Sequence, residues 1–184
     1  SWDTEPGDIV YIPPKIAHHG VSLDEECITL SVGYRSYLKN EMLDSLELPN
    51  VKTNTYLKDS TWGVNIYPAE IPQSAIEQVK SFLNITELPE EYFGCFVTKL
   101  DPEDEKKFND VSGYQNQEAI EEFDIYHLHP LCRVAYQFID KKLVVFINGE
   151  VFNYKDIDDE IIVSFANSRQ LKLNINNRTL AEHL

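Results

Sequence analysis

No stretch of the chain reaches the roughly 18 consecutive apolar residues that a membrane span needs. Its first residues also lack the basic segment and apolar core of a secretion signal. Cysteine is scarce: Cys27, Cys95 and Cys132 are odd in number, far apart and in no CxxC pattern. That argues against a disulfide framework or a zinc knuckle and for a reducing, cytoplasmic setting. Positive charge is scarce as well. Lys and Arg number 16 against 31 Asp and Glu, a formal net charge of −15. Such a field repels phosphate backbones and anionic lipid and attracts basic partners, so it argues against a nucleic-acid or membrane role. Methionine occurs once, at Met42, and residue 1 is Ser. The chain is therefore read as a possible fragment that does not begin at a start codon. With 7 Gly, 9 Pro and 42% apolar residues, collagen-like, low-complexity and wholly disordered classes are excluded.

What is present falls into regions of different texture within 184 residues. The first, 1–36, reads as β. Glu5-Pro6-Gly7-Asp8 has Pro and Gly where a type II turn needs them, and Ile9–Ile12 follows as a strand that Pro13-Pro14 ends. Cys27–Tyr34 reads as a second strand. Its small, partly polar residues (Cys27, Thr29, Ser31, Gly33) alternate with large apolar ones (Ile28, Leu30, Val32, Tyr34). A strand with one bulky and one small polar face suits the wall of a ligand-holding barrel. Region 37–100 is predicted to be helical, with apolar stripes over 37–46, 71–84 and 89–99. Region 101–124, rich in acidic side chains, reads as a solvated linker and helix face. Region 125–184 predicts strands at Arg133–Phe138 and Leu143–Phe146. An Asn148-Gly149 turn leads into Val151-Phe152, a helix follows near Asp158–Ser168, then a short strand at Leu171–Ile175 and a helix from Thr179. Helices around a small β-ribbon suggest a winged-helix-like module. The expected class is α+β.

The most specific signal is the spacing Gly7-x5-Pro13-x4-His18, a histidine just after a strand and a rigid Pro-Pro turn. It resembles the second motif of the cupin superfamily, which supplies a metal-binding histidine; Lys15 stands where that family has Gly and Ser22 where it has Asn. The longer stretch Glu5–Pro14, His18 and Leu30–Arg35 resembles the end of a Jumonji-C (JmjC) catalytic domain of the bacterial ribosomal-oxygenase type. The resemblance is close over about residues 5–36 and looser beyond. It implies the C-terminal strands of a double-stranded β-helix (cupin, or jelly-roll), then a helical dimerisation region and a winged-helix-like domain. It also implies Fe(II) with 2-oxoglutarate as co-substrate, His18 as the distal metal ligand, and a basic protein substrate such as a ribosomal protein, hydroxylated on Arg or His. A homodimer is implied on the same ground.

Iron in such oxygenases is held by two His and one carboxylate. None of the histidines (His18, His19, His127, His129, His183) has Asp or Glu two residues later. The other ligands are therefore expected upstream. His19 competes with His18, but spacing from Pro13 favours His18. Thr29 and Ser31 are candidates for lining the co-substrate pocket, and Arg35 is poorly placed to clamp 2-oxoglutarate. His127-x-His129 reads as a domain-entry turn beside Pro130 rather than a chelate. Two other readings stay open at this point: a non-catalytic cupin and winged-helix binding or regulatory module, and an asparaginyl-type protein hydroxylase.

Overall fold

The structure is a computed structural model that describes residues 2–13, 16–22, 26–31, 36–49, 53, 55–58, 67–112, 125–155 and 157–172. Of the sequence expectations, Pro14, Val32–Arg35, the acidic region beyond Ser112 up to 124, the strand beyond Lys172 and the helix from Thr179 lie outside the described residues. The chain divides into two units, Ser1–Arg35 and Ser36–Leu184.

In the first unit the Pro6-Gly7 turn forms as predicted. Asp8 N–H donates to Glu5 O at 3.0 Å, and Gly7 takes φ 100°, the left-handed value that a type II turn requires at that position. The Asp8 carboxylate closes the turn from the side, accepting from Glu5 N–H at 2.9 Å. The segments predicted as strands differ from expectation, because neither Ile9–Ile12 nor Cys27–Ser31 takes part in a β-ladder. A strand exists only with a hydrogen-bonded neighbour, and alternation supplies the faces of a strand but not its partner. Ile9 is 96% exposed and Ile28 94%.

The second unit is built around the antiparallel hairpin of β2 (Val134–Ile139) and β3 (Lys142–Ile147), extended by β4 (Glu150–Phe152). Both reversals are tight: Asp140 and Lys141, then Asn148 and Gly149, all have positive φ, the signature of two-residue hairpin turns whose twist matches the flanking strands. A bridge beside β2, with Ile71 N–H donating to Tyr136 O and Tyr136 N–H to Ala69 O, adds a short parallel neighbour. A separate ladder pairs β1 (Ile125–His127) with β5 (Gln170–Lys172).

Both faces of the hairpin are covered. Ala135 and Phe146 face one way, against α1 (Lys39–Ser45), α2 (Gln73–Leu83) and α3 (Tyr92–Thr98), which bury Met42, Leu43, Ile76, Val79 and Phe93. Tyr136, Leu143 and Val145 face the other way, against Ile162, Phe165 and Ala166 of α5 (Asp159–Ser168). Helix limits follow local chemistry. Pro72 precedes α2, and Asn84 ends it in the left-handed region while Ile85 N–H reaches back to Lys80 O. The Asp158 carboxylate caps α5 through Glu160 N–H at 3.0 Å. The acidic segment begins as α4 (Pro102–Ser112), with Glu103, Asp104 and Glu105 in its first turn, where the helix dipole favours them.

Candidate functional site

The first unit carries the predicted site residues. His18, Thr29 and Ser31 are all exposed. His18 Nδ1 stands 3.1 Å from Ile16 O. A carbonyl can only accept, so this contact calls for a proton on Nδ1; in the neutral ring Nε2 is then the lone-pair nitrogen, the form in which an imidazole binds a metal. Proximity in sequence produces the arrangement, since donor and acceptor are two residues apart; Ile16 N–H in turn donates to Pro13 O at 3.4 Å. The structure does not bring His18 together with Thr29 or Ser31 through any hydrogen bond among the described residues. Nor do the described residues contain a group of three His, Cys, Asp or Glu able to hold a metal ion. One imidazole of the right tautomer is compatible with iron, but the described residues alone do not make the three-ligand site.

In the second unit the remaining sequence candidates have structural duties. His129 Nδ1 accepts from Leu131 N–H at 3.2 Å and its ring packs edge-on against Phe108. That contact occupies one nitrogen that a His127-x-His129 chelate would need. Cys132 lies against a cavity of about 530 Å³ bordered by Leu100, Phe108, Leu128 and Phe152. Burial pushes its thiol up in pKa, away from the thiolate that a nucleophile needs, although Arg169 and Asn148 oppose the shift.

Three polar nodes were not found from sequence. Thr98 Oγ1 donates to Gly94 O at 2.8 Å and accepts Gly149 N–H at 3.1 Å, tying α3 to the β3–β4 turn. Asn167 Nδ2 donates to Tyr136 Oη and Val163 O, while its Oδ1 accepts Ala69 N–H at 3.0 Å. Arg133 reaches Asp101 and Asp104 of the α4 start, at 3.1 and 3.3 Å, and also donates to Lys99 O. Each involves partners tens of residues apart, which no local pattern announces.

An antiparallel three-stranded ribbon with helices on both faces and a short extra ladder is a winged-helix arrangement. The chain belongs to the ROXA-like winged helix family, whose model matches residues 81–182, more than half of the sequence. The JmjC domain model matches residues 1–42, the segment that holds His18. The chain is also 30% identical over 104 residues to the ribosomal protein uL16 3-hydroxylase of Escherichia coli (strain K12), covering 53% of this chain and 28% of that protein. It thus spans a little over a quarter of the relative's length. No solved structure matches. At the level of family, these likenesses relate the chain to JmjC-type oxygenases. No helix among the described residues is long and apolar enough to cross a membrane.

Proposed function

We propose that the chain is part of an Fe(II)- and 2-oxoglutarate-dependent protein hydroxylase that works in the cytoplasm on a basic protein substrate. The observation that carries this reading is His18: it lies within the JmjC match, and its Nδ1 contact with Ile16 O leaves Nε2 as the nitrogen that would ligate a metal. Bound iron would supply oxygen activation, and His18 would furnish one of its ligands. The remaining ligands would come from residues other than those described. The uL16 hydroxylase acts, by its name, on a ribosomal protein; ribosomal proteins are typically basic, and a chain of net charge −15 suits such a substrate.

The second unit is proposed to serve protein contacts rather than nucleic acid. Its best candidate for a recognition helix, α5, opens with Asp158, Asp159 and Glu160. Arg169, at its far end, donates to His129 O and Cys132 O at 3.1 and 2.9 Å, which turns its guanidinium inward instead of toward phosphate. Homodimerisation through the helical region 37–100 is proposed on the resemblance alone; of its apolar side chains, Met42, Leu43, Ile76, Val79 and Phe93 are buried within the chain, while Leu38, Phe82, Tyr92 and Phe96 are only partly buried.

The test is iron-dependent succinate formation by the full-length protein with 2-oxoglutarate and a ribosomal-protein substrate. His18→Ala should abolish it while His19→Ala retains it. Full activity in His18→Ala would remove the ligand role. Absence of turnover in the unaltered protein would instead favour the second reading, a non-catalytic cupin and winged-helix module.

A further inference from the structure

On the α5 side of the hairpin, the sheet carries aromatic surface that stays about half exposed. Tyr136 is 1% exposed, yet Phe138, two residues on and on the same face of β2, is 50% exposed. Tyr67, which leads into the bridge beside β2, is 47% exposed. Val163 of α5 completes an open groove between them. Asp159 and Glu160 stand on the same groove. Glu160, Val163 and Asn167 follow the three- and four-residue spacing of one helix face. Asn167 fixes the floor by holding Ala69 N–H and Tyr136 Oη together.

The electrostatics are one-sided. Asp158, Asp159 and Glu160 outweigh the roughly half-unit positive charge of the α5 N-terminus. Asp158 caps the helix and Asp159 accepts from Tyr154 Oη at 2.8 Å, whereas the Glu160 carboxylate has no ion-pair or hydrogen-bond partner among the described residues. Two bases, Lys141 and Lys142, sit at the hairpin tip beyond Phe138, where Asp140 partly offsets them.

We propose that this groove is a docking site for an arginine side chain of a basic polypeptide. The occupant's basic character rests on the proposed function, but the site rests on its own geometry. A guanidinium is planar and weakly hydrated, so it can lie on the Phe138 or Tyr67 ring while its edge meets the Glu160 and Asp159 carboxylates. A lysine ammonium is compact and strongly hydrated and fits only half of that description. Phosphate backbones are repelled by the same carboxylates. A second copy would set two acidic grooves face to face.

The experiment is fluorescence anisotropy of the full-length protein, without iron or 2-oxoglutarate, against a labelled Gly-Arg repeat peptide at 0.15 M salt. Citrulline and lysine versions of the peptide serve as comparisons. Saturable binding is expected, about ten-fold weaker for the uncharged citrulline peptide and intermediate for lysine. The double variant Asp159→Asn/Glu160→Gln should weaken arginine-peptide binding about ten-fold. Phe138→Leu, which keeps an apolar side chain but removes the ring, should weaken it about three-fold. The charge-matched control Glu87→Gln/Glu103→Gln, at exposed positions elsewhere, should change it less than two-fold. Equal loss in the control, equal binding of the citrulline peptide, or no binding would overturn the proposal. Self-association abolished by the groove variants would overturn it too, in favour of a second copy. Succinate formation is measured separately, so a protein that binds through the groove but never turns over refutes the hydroxylase reading alone.

Discussion

Gly94 is the most exacting position in the second unit. It lies in the middle of α3, and a Cβ built there would stand under 3.0 Å from Cε2, Cδ2 and Cζ of Phe146. That ring is 0% exposed and sits in the core between α3 and the sheet. Relieving the clash to the roughly 3.5–4.0 Å optimum of carbon pairs means opening the helix–sheet contact by at least about 0.5–1 Å. In a solvated helix, Gly→Ala is worth about 0.8–1 kcal/mol of stability. Here overpacking of about 1–3 kcal/mol opposes it. A fully enclosed ring cannot swing aside, so the second effect wins, and Gly94→Ala should destabilise by up to about 2 kcal/mol on balance.

Urea unfolding followed by circular dichroism measures this as a lowered midpoint at unchanged slope. The decisive arm is a double-mutant cycle with Phe146→Leu, whose smaller side chain leaves room for the new methyl. In that background Gly94→Ala should be neutral or stabilising, a coupling of at least about 1 kcal/mol. A Gly94→Ala protein more stable than the parent, or the same change in both backgrounds, would refute the steric reasoning.

How much of this was legible beforehand differs between the units, for a physical reason. The second unit's elements follow local chemistry. Asn148-Gly149 has the composition of a two-residue hairpin turn and forms one, with both residues at positive φ. Pro72 and Asp158 stand where helices begin, and of the expected α2 stripe Ile76, Val79, Phe82 and Leu83 all are buried but Phe82, which is partly so. What stayed hidden is non-local. Nothing near Gly94 names Phe146 as its contact, although a glycine inside the bulky run Tyr92-Phe93-Gly94-Cys95-Phe96 was a signal of close approach that could have been used. The bridge of Ala69–Ile71 to β2 is too short to show a period, and so is β1. In the first unit the turn at Gly7 and the place of His18 are local facts that spacing conveys. A metal site needs several ligands from distant segments, and a single histidine spacing cannot supply the others.

Other outcomes follow from the same contacts. Thr98→Val, nearly isosteric and 2% exposed at the parent residue, should cost about 1–2 kcal/mol by leaving Gly149 N–H without its acceptor, and Thr98→Ser should restore most of it; equal effects in thermal or urea unfolding would deny the hydrogen bond its role. Tyr154 is held above its ordinary pKa, first by burial and then by the Asp159 hydrogen bond and charge, and burial raises Tyr92 and Tyr136 as well. The folded state therefore keeps protons that the unfolded chain loses above about pH 10, so stability should fall as pH rises through that range. Tyr154→Phe should flatten the fall, and an unchanged slope of unfolding free energy against pH would refute the assignment.

The last expectation concerns amide exchange. In the structure, Ile9–Ile12 and Cys27–Ser31 belong to no ladder, and Ile9 and Ile28 are almost fully exposed, whereas β2 and β3 pair along their whole length between two covered faces. Protection requires a hydrogen bond that opens only with local or global unfolding. For the 184-residue chain, amides of 9–12 and 27–31 should therefore exchange near intrinsic rates while those paired between 134–139 and 142–147 exchange only through global unfolding. An isolated two-stranded sheet is marginal in water, so mutual pairing of the two alternating segments would not by itself give lasting protection. Slow exchange at Val10 or Leu30 matching that of Tyr136 would show that these segments have found partners, and the exposed arrangement described for the first unit would have to be abandoned.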